Sequence, residues 1–161
     1  MLLKTSIRPY RSGDGDALNA FLSRAKFLLG NVNFEEEGKF GLYLLCGEGV
    51  GILGLVEAQA RPVVHLEGAT PALVITKLAL DKDCFDEDFI RSLLLYVLVQ
   101  ARQLNVPIVL LEGEEVPFEK ELGFRPAAQH GIYDEKHPNL CLESLRLCSL
   151  GEDPLKPGFL R

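Results

Sequence analysis

Asp86, Glu87 and Asp88 are three consecutive carboxylates at the start of a long apolar segment. The N–H groups in the first turn of a helix bind phosphate well when a glycine-rich loop precedes them. The run Phe85–Ile90 contains no glycine, so side chains and negative charge occupy a place suited to phosphate. The helix dipole also favours acidic residues in a first turn, by about 0.3–1 kcal/mol each, and this structural explanation requires no ligand.

Two further groups of ionisable residues lie in the C-terminal half of the chain. The first is a loose cluster of His130, Asp134, Glu135 and His137. Its spacing matches no established metal site, and none of the four cysteines has C-x-x-C spacing, so we predict a solvated loop and no metal. The second is an acidic run of Glu112, Glu114 and Glu115. Such a run is usually a solvent-facing turn, but with the carboxylates at 86–88 it could make a cleft negative and favour a cationic ligand.

Strands and helices alternate in the elements that must position these residues. The predicted strands lie at 5–9, 40–46, 50–58, 72–80, 106–111 and 140–147, and a glycine turn joins the second and third of them into a hairpin. The predicted helices are one whose apolar stripe runs from Ala17 to Ala25, a long one at 86–104 and a short one at 117–122. Arg61-Pro62 is expected to break the second hairpin strand. The helix at 86–104 is apolar around most of its circumference, so we expect burial on more than one side.

Composition and charge indicate a soluble domain. The chain is 47% hydrophobic and 25% charged, which is enough apolar surface for one full core. Its net charge of −6 disfavours nucleic acid and anionic membranes as partners, because both require a basic surface. The N-terminus does not resemble a signal peptide, and the longest apolar run, Leu93–Val99, is too short to span a bilayer. We therefore expect a cytoplasmic protein.

Several segments, taken in order, resemble the GNAT superfamily of N-acetyltransferases. The start of the chain, Ile7–Arg11 followed by Asp14–Leu18, is similar to the family's first strand and helix, and Lys77–Leu80 resembles the strand before its acyl-CoA loop. The run Val116–Phe124 resembles the family's signature ending in Leu-Gly-Phe. With the residues that follow it, this run looks like one bacterial subgroup of predicted N-acetyltransferases. The likeness covers nearly the whole chain.

The resemblance implies a fold and a set of site residues. It implies one α/β domain over residues 1–150, with a mixed sheet of about six or seven strands and helices on both faces, followed by an irregular tail at 151–161. The backbone of Leu78, Ala79 and Leu80 would hold the acyl carbonyl and the pantetheine arm of acyl-CoA. The pyrophosphate loop would fall on Phe85–Ile90, whose residues Asp86, Glu87, Asp88, Phe89 and Ile90 depart from the family's glycine-rich motif.

The family's catalytic positions map onto two glutamates. Glu119 stands where the resemblance places a tyrosine that protonates the leaving thiolate, and as a glutamate beside Lys120 on a short exposed helix it has no evident reason to act as an acid. Tyr96 or Tyr133 could substitute. A general base, often a glutamate on a middle strand, would be Glu57, although a charge on a cleft rim explains this residue equally well.

Three hypotheses follow from these residues. The first is a diverged GNAT-fold protein with a binding or regulatory role, weak or absent acyl-CoA binding and no expected cofactor, because both the phosphate loop and the catalytic tyrosine are replaced. The second is an active N-acetyltransferase that uses acetyl-CoA through an atypical loop. The third is an assembly subunit, a homo-oligomer among the options, suggested by the apolar helix at 86–104. In each case the sequence leaves open whether the binding partner is a small molecule or a protein.

Overall fold

The computed structural model describes residues 4–34, 41–65, 68–126, 133–134 and 145–149. In these residues nine strands form one mixed sheet with the order β1-β3-β4-β5-β6-β9-β7, to which β2 adds on β5 and β8 on β4. The strands are β1 (Thr5–Pro9), β2 (Ala25–Leu29), β3 (Leu42–Gly47), β4 (Gly51–His65), β5 (Gly68–Asp81), β6 (Ile108–Glu112), β7 (Arg125–Pro126), β8 (Tyr133–Asp134) and β9 (Leu145–Ser149). Seven of them have five residues or more, in line with the predicted number.

One helix covers each face of the sheet, as predicted for this α/β fold. Helix α1 (Gly15–Leu22) buries Leu18 and Phe21 against one face. Helix α2 (Glu87–Gln103) packs on the opposite face, over the larger hydrophobic cluster. β5 lies at the centre of the sheet, antiparallel to β4 and parallel to β6, which is the mixed arrangement expected when a helix connects two parallel strands.

The hairpin of β4 and β5 is longer than the sequence predicted. The expected break at Arg61-Pro62 is wrong, because β4 continues to His65. Pro62 lies directly opposite Pro71 on β5. Every second pair of an antiparallel ladder exchanges no N–H···O bonds, so two prolines facing each other at such a pair cost the sheet no hydrogen bond.

Helix α2 begins and ends where its sequence indicates. The Asp86 carboxylate caps it by accepting a hydrogen bond of 2.9 Å from Asp88 N, and Asn105 after its end has a φ of 58°, the left-handed conformation predicted for that residue. The expected burial on more than one side is wrong. The helix buries one broad face of six residues, while Leu95, Val99 and Leu104 are 45–62% exposed.

Two local secondary-structure predictions, for the end of the first helix and for residues 117–123, are wrong. The first helix ends at Leu22, and Ala25, predicted to extend its apolar stripe, instead begins β2. Residues 117–123 form hydrogen-bonded turns and not the predicted short helix, since Leu122 N and Phe124 N bond to Phe118 O and Glu119 O respectively. Gly123 does end this segment with a φ of 98°.

Parts of the remaining predictions lie outside the described residues. They include the tail at 151–161, residues 140–144 of the last predicted strand, and His130, Glu135 and His137 of the loose cluster. In the described part of the chain, no helix combines the length and the hydropathy needed to cross a bilayer.

Candidate functional site

Strand β2 occupies the edge of β5 beyond the end of β6. The opposite edge of β5 pairs with β4 along its length, so β6 and β2 share the second edge: β6 pairs with Ala72–Ile75 and β2 with Leu78–Asp81. A strand edge carries unpaired N–H and C=O groups that can bind an extended ligand. Here a segment of the chain itself fills the edge at which a ligand arm was predicted to bind.

The start of β2 is fixed to the sheet by Arg24. Its Nε donates to Asp81 Oδ2 at 2.6 Å and its Nη2 donates to the carbonyl of Ile52 at 3.0 Å. Burial acts to raise the pKa of Asp81, but the hydrogen bonds from Arg24 and from Asp83 N outweigh it and lower the pKa. The ion pair therefore stays charged at neutral pH and holds the turn before β2 against the end of β5.

The end of β2 is fixed by a close approach of two backbones at Gly30. This residue has a φ of 71°, and a Cβ placed on it would lie 2.4 Å from the carbonyl oxygen of Thr76. Only glycine fits such a contact, because any side chain at Gly30 would be driven into the β5 backbone. The next residues are held as well, since Lys77 Nζ donates to the carbonyl of Asn31 at 2.9 Å.

The predicted acyl-binding residues thus lie on the edge of β5 that pairs with β2. Leu78, Ala79 and Leu80 are completely buried, and each is paired with β4 on one side and with β2 on the other. Their proposed contact with an acyl group stays a prediction. An acyl arm could reach this edge only if β2 left it.

The predicted pyrophosphate loop is acidic and locally satisfied. Asp86, Glu87 and Asp88 are exposed, and Asp86 already caps the helix. Phe89 is half-buried and Ile90 is fully buried under the helix, so both contribute to packing. Helix capping and the helix dipole therefore account for the three carboxylates, and packing accounts for Phe89 and Ile90. The role of these five residues in cofactor binding stays a prediction.

A polar cleft of about 380 Å³ lies on the α1 face of the sheet, where β4, β5 and β6 meet the end of β2. A β-bulge shapes it: Glu57 pairs with Lys77 and Ala58 with Ile75, which leaves Thr76 as an extra residue on β5. A bulge re-aims the side chains next to it. Thr76 and Lys77 consequently both line the cleft, with Glu57, Gln59 and Arg61 from β4 and with Glu112 from β6.

Glu57 is the most buried charged residue of this cleft. It is 1% exposed, and its Oε1 accepts hydrogen bonds from Thr76 Oγ1 at 2.6 Å and from Gln59 Nε2 at 3.2 Å. Its Oε2 has no hydrogen-bond partner among the described residues. Because a buried carboxylate oxygen without a partner is costly, Oε2 is a candidate contact for a ligand.

The two cations of the cleft are arranged differently. Arg61 forms an ion pair with Glu112, from Nη2 to Oε2 at 3.1 Å. The Lys77 ammonium is 4.9 Å from the centroid of the Phe34 ring and bonds to the Asn31 carbonyl, although Lys77 is the cross-strand neighbour of Glu57. Glu57 and Lys77 therefore present opposite charges side by side without an ion pair between them.

Glu119 does not lie on an exposed helix, and that expectation is wrong. It is 4% exposed, and its Oε2 accepts a hydrogen bond of 2.9 Å from Val116 N, which closes the turn at 117–123. Val116 belongs to the cluster under α2, on the other face of the sheet from Glu57. Its role as an acid stays a prediction, and its visible role is to fix this loop.

Tyr96, one suggested substitute for the catalytic tyrosine, is on the same far face. It packs on Tyr43 with ring centroids 5.1 Å apart, and burial together with Tyr96 raises the pKa of Tyr43. Tyr43 is adjacent to Leu42, which pairs with Glu57, and neighbouring strand residues point to opposite faces. The side chain of Tyr133, the other suggested substitute, lies outside the described residues.

The sequence indicated Glu57 and, as part of an acidic run, Glu112, but it missed the other residues that line the cleft. A periodic signal was present: Glu57, Gln59 and Arg61 alternate with small or apolar residues, which is typical of a strand with one polar face. Thr76 and Lys77 carry no comparable signal, because the bulge that brings both to the cleft breaks the alternation. The described residues contain no group of ligands suited to a metal ion.

Comparisons by sequence and by structure give different results. No protein-family model matches the sequence, and no curated protein matches it. Among solved structures, it is similar to a GNAT family N-acetyltransferase from Escherichia coli in complex with CoA, with 17% identity and a TM-score of 0.69 over 98% of this chain and 87% of the other. A GNAT family acetyltransferase from Brucella melitensis in complex with acetyl-CoA has 13% identity and a TM-score of 0.57 over 93% and 90% of the two chains.

A third similar structure is longer than this chain. It is the N-acetylglutamate synthase from Neisseria gonorrhoeae with coenzyme A and N-acetyl-glutamate, at 17% identity and a TM-score of 0.66, where 94% of this chain covers 36% of the other. Identities this low establish architecture only. The chain has the GNAT fold, which confirms the prediction made from its sequence.

Proposed function

We propose that this GNAT-fold chain is a diverged protein with a binding or regulatory role, in which acyl-CoA binding is weak or absent and the ligand site is the cleft at Glu57. One observation carries the proposal: β2 fills the edge of β5 at Leu78–Asp81, which includes Leu78–Leu80, where the family resemblance places the acyl arm. Arg24 and Gly30 fix β2 at its two ends.

The charge at the start of α2 supports the same proposal. A carboxylate and a phosphate about 4 Å apart repel by roughly 4 kcal/mol at an effective dielectric constant near 20, which is about a thousandfold in affinity. Asp86, Glu87 and Asp88 form the cap and the first turn of the helix, where the family resemblance places the pyrophosphate. The phosphate end and the acyl end of acyl-CoA thus meet separate obstacles.

A second candidate is an active acyl-CoA-dependent N-acetyltransferase, and the geometry of Glu57 favours it. This buried carboxylate has one oxygen without a partner and faces a cleft, as a general base would. Similar folds have been solved with CoA or acetyl-CoA. Under this candidate β2 must leave the β5 edge before acyl-CoA enters.

Titration with acetyl-CoA separates the two candidates. A ligand present at a hundredfold excess over its dissociation constant stabilises the folded state by about 2.7 kcal/mol, which thermal unfolding detects easily. We expect little or no shift at millimolar acetyl-CoA, and no heat of binding by calorimetry. A clear shift would favour the enzyme instead.

A loop variant tests whether both obstacles are real. Asp86→Gly, Glu87→Gln and Asp88→Gly together remove the charge but leave β2 in place. We expect this folded variant still to ignore acetyl-CoA. If the repaired loop alone produced binding, β2 would not be an obstacle and the argument from the β5 edge would fail.

A further inference from the structure

We infer that the cleft binds a zwitterion of the α-amino acid class, with the ammonium group at Glu57 and the carboxylate at Lys77. The inference rests on the proposed function, because it assigns a ligand to the same cleft. It starts from Glu57, which lines a cleft of about 380 Å³ and whose buried Oε2 has no hydrogen-bond partner among the described residues. Ligand sites of small molecules have volumes of about 300–1,000 Å³.

Glu57 can accept only a hydrogen-bond donor. Its Oε1 already accepts two hydrogen bonds, from Thr76 and Gln59, so one oxygen remains for one donor group. An ionised carboxylate donates nothing, and its strongest partner is a cationic N–H group. Among possible donors, an ammonium nitrogen therefore complements this position best.

A cation alone does not match the cleft, because Lys77 is beside Glu57. The two residues are directly opposed on neighbouring strands, where side chains begin about 4.5–5.5 Å apart. A simple amine would bring a second positive charge next to the Lys77 ammonium without compensating it. The Arg61–Glu112 ion pair is neutral overall, so it does not offset this repulsion.

The Lys77 ammonium group matches the carboxylate of such a ligand. An ammonium group has three N–H donors, and in this structure one is used by the Asn31 carbonyl while the Phe34 ring lies beside the group. A carboxylate attached to the same carbon as the ligand ammonium would meet Lys77 while the ammonium meets Glu57. The two opposite charges on the α-carbon of the ligand thus match the opposite charges of two paired residues of the sheet.

The test uses the whole wild-type chain and the standard L-amino acids, each titrated by thermal shift and then by calorimetry. Each amino acid that binds is compared with its decarboxylated amine and with its deaminated acid. We expect both single-charge analogues to bind about 10- to 100-fold more weakly than the amino acid, the loss typical of one hydrogen bond to a charged group.

Two variants assign each charge to its residue. In Glu57→Gln the amino acid and its deaminated acid should bind with equal affinity, and in Lys77→Met the amino acid and its decarboxylated amine should bind with equal affinity. The matched controls, Glu48→Gln and Lys4→Met, change exposed residues and should keep the wild-type preference. A change of preference cannot result from partial unfolding, which weakens all ligands alike. If Lys77→Met does not fold, the comparison of analogues on the wild-type chain still decides the inference.

The inference is overturned if no amino acid binds, if the amine binds as well as the amino acid, or if Glu57→Gln keeps the wild-type preference. These outcomes are independent of the acetyl-CoA titration. Binding of acetyl-CoA would refute the proposed function, whereas failure of the amino acids to bind would refute only this assignment of the ligand.

Discussion

Replacing Gly30 with alanine tests the position of β2 more directly than any other single change. The left-handed φ of 71° costs an alanine about 1–2 kcal/mol. The added Cβ would also lie 2.4 Å from the carbonyl oxygen of Thr76, which belongs to the central strand and cannot retreat without disturbing the β4–β5 ladder. Overpacking of this kind costs about 1–3 kcal/mol more. We expect Gly30→Ala to destabilise the protein by about 2–5 kcal/mol.

Gly49→Ala is the matched control. Gly49 has a similar φ of 78°, but no atom lies within 4 Å of the position of its Cβ. It should therefore lose only the conformational part, about 1–2 kcal/mol. Urea unfolding of both variants, followed by circular dichroism, measures the difference. Equal losses in the two variants would show that β2 does not approach β5 at Thr76, and the argument that it blocks the β5 edge would be refuted.

Two further predictions concern the core and the pH dependence of stability. Leu94→Asp should cost several kcal/mol of folding stability or unfold the domain, because Leu94 is fully buried. Leu95→Asp, at the next and 47% exposed position, should change stability by less than about 1 kcal/mol. Thermal unfolding followed by circular dichroism compares the two variants, and similar melting temperatures would contradict the one-sided burial of α2. The hydrogen bond from Arg8 lowers the pKa of Asp14 to about 2 from 3.8, so the folded protein stabilises the ionised form. The ionised carboxylate contributes about 1–2 kcal/mol to folding stability, a value reduced because Arg8 is partly exposed. This contribution is complete above pH 4 and is lost as the pH falls through 2. Asp14→Asn should accordingly be less stable than wild type at neutral pH, and the difference should shrink as the pH falls through 2. A difference that does not change with pH would refute this assignment.

Most of the fold could be predicted because its signals are local. The glycine turn at 47–49 joins two strands as expected, and Asp86 and Asn105 bound α2 within a residue of the prediction. Capping and turn chemistry act over a few residues, so the sequence carries them in full. The continuation of β4 through Arg61-Pro62 was missed because the sheet accommodates Pro62 opposite Pro71, which is nine residues further along the chain on the facing strand.

The candidate site was predictable only in part. Glu57 was indicated by the family resemblance, and the alternation of Gln59 and Arg61 with apolar residues places them on its face of β4. The cross-strand partners were not, because the bulge at Thr76 shifts the register by one residue and no motif marks it. Glu119 was expected on a short exposed helix beside Lys120. It is buried instead, with Oε2 accepting a hydrogen bond from Val116 N that only the folded loop forms.

The class of fold, the ends of the main helix, the acidic Phe85–Ile90 loop and the glutamate on a middle strand can all be predicted from the sequence, because each depends on local residue types or on a family pattern. The structure of Ala25–Leu29 depends on tertiary contacts, because this segment continues an apolar helical pattern but forms β2 on β5. The reason is that an uncovered strand edge leaves backbone groups without partners, and a segment about fifty residues away in sequence satisfies them. Pairing over such a distance leaves no local signature, because neither strand contains information about which edge it will meet.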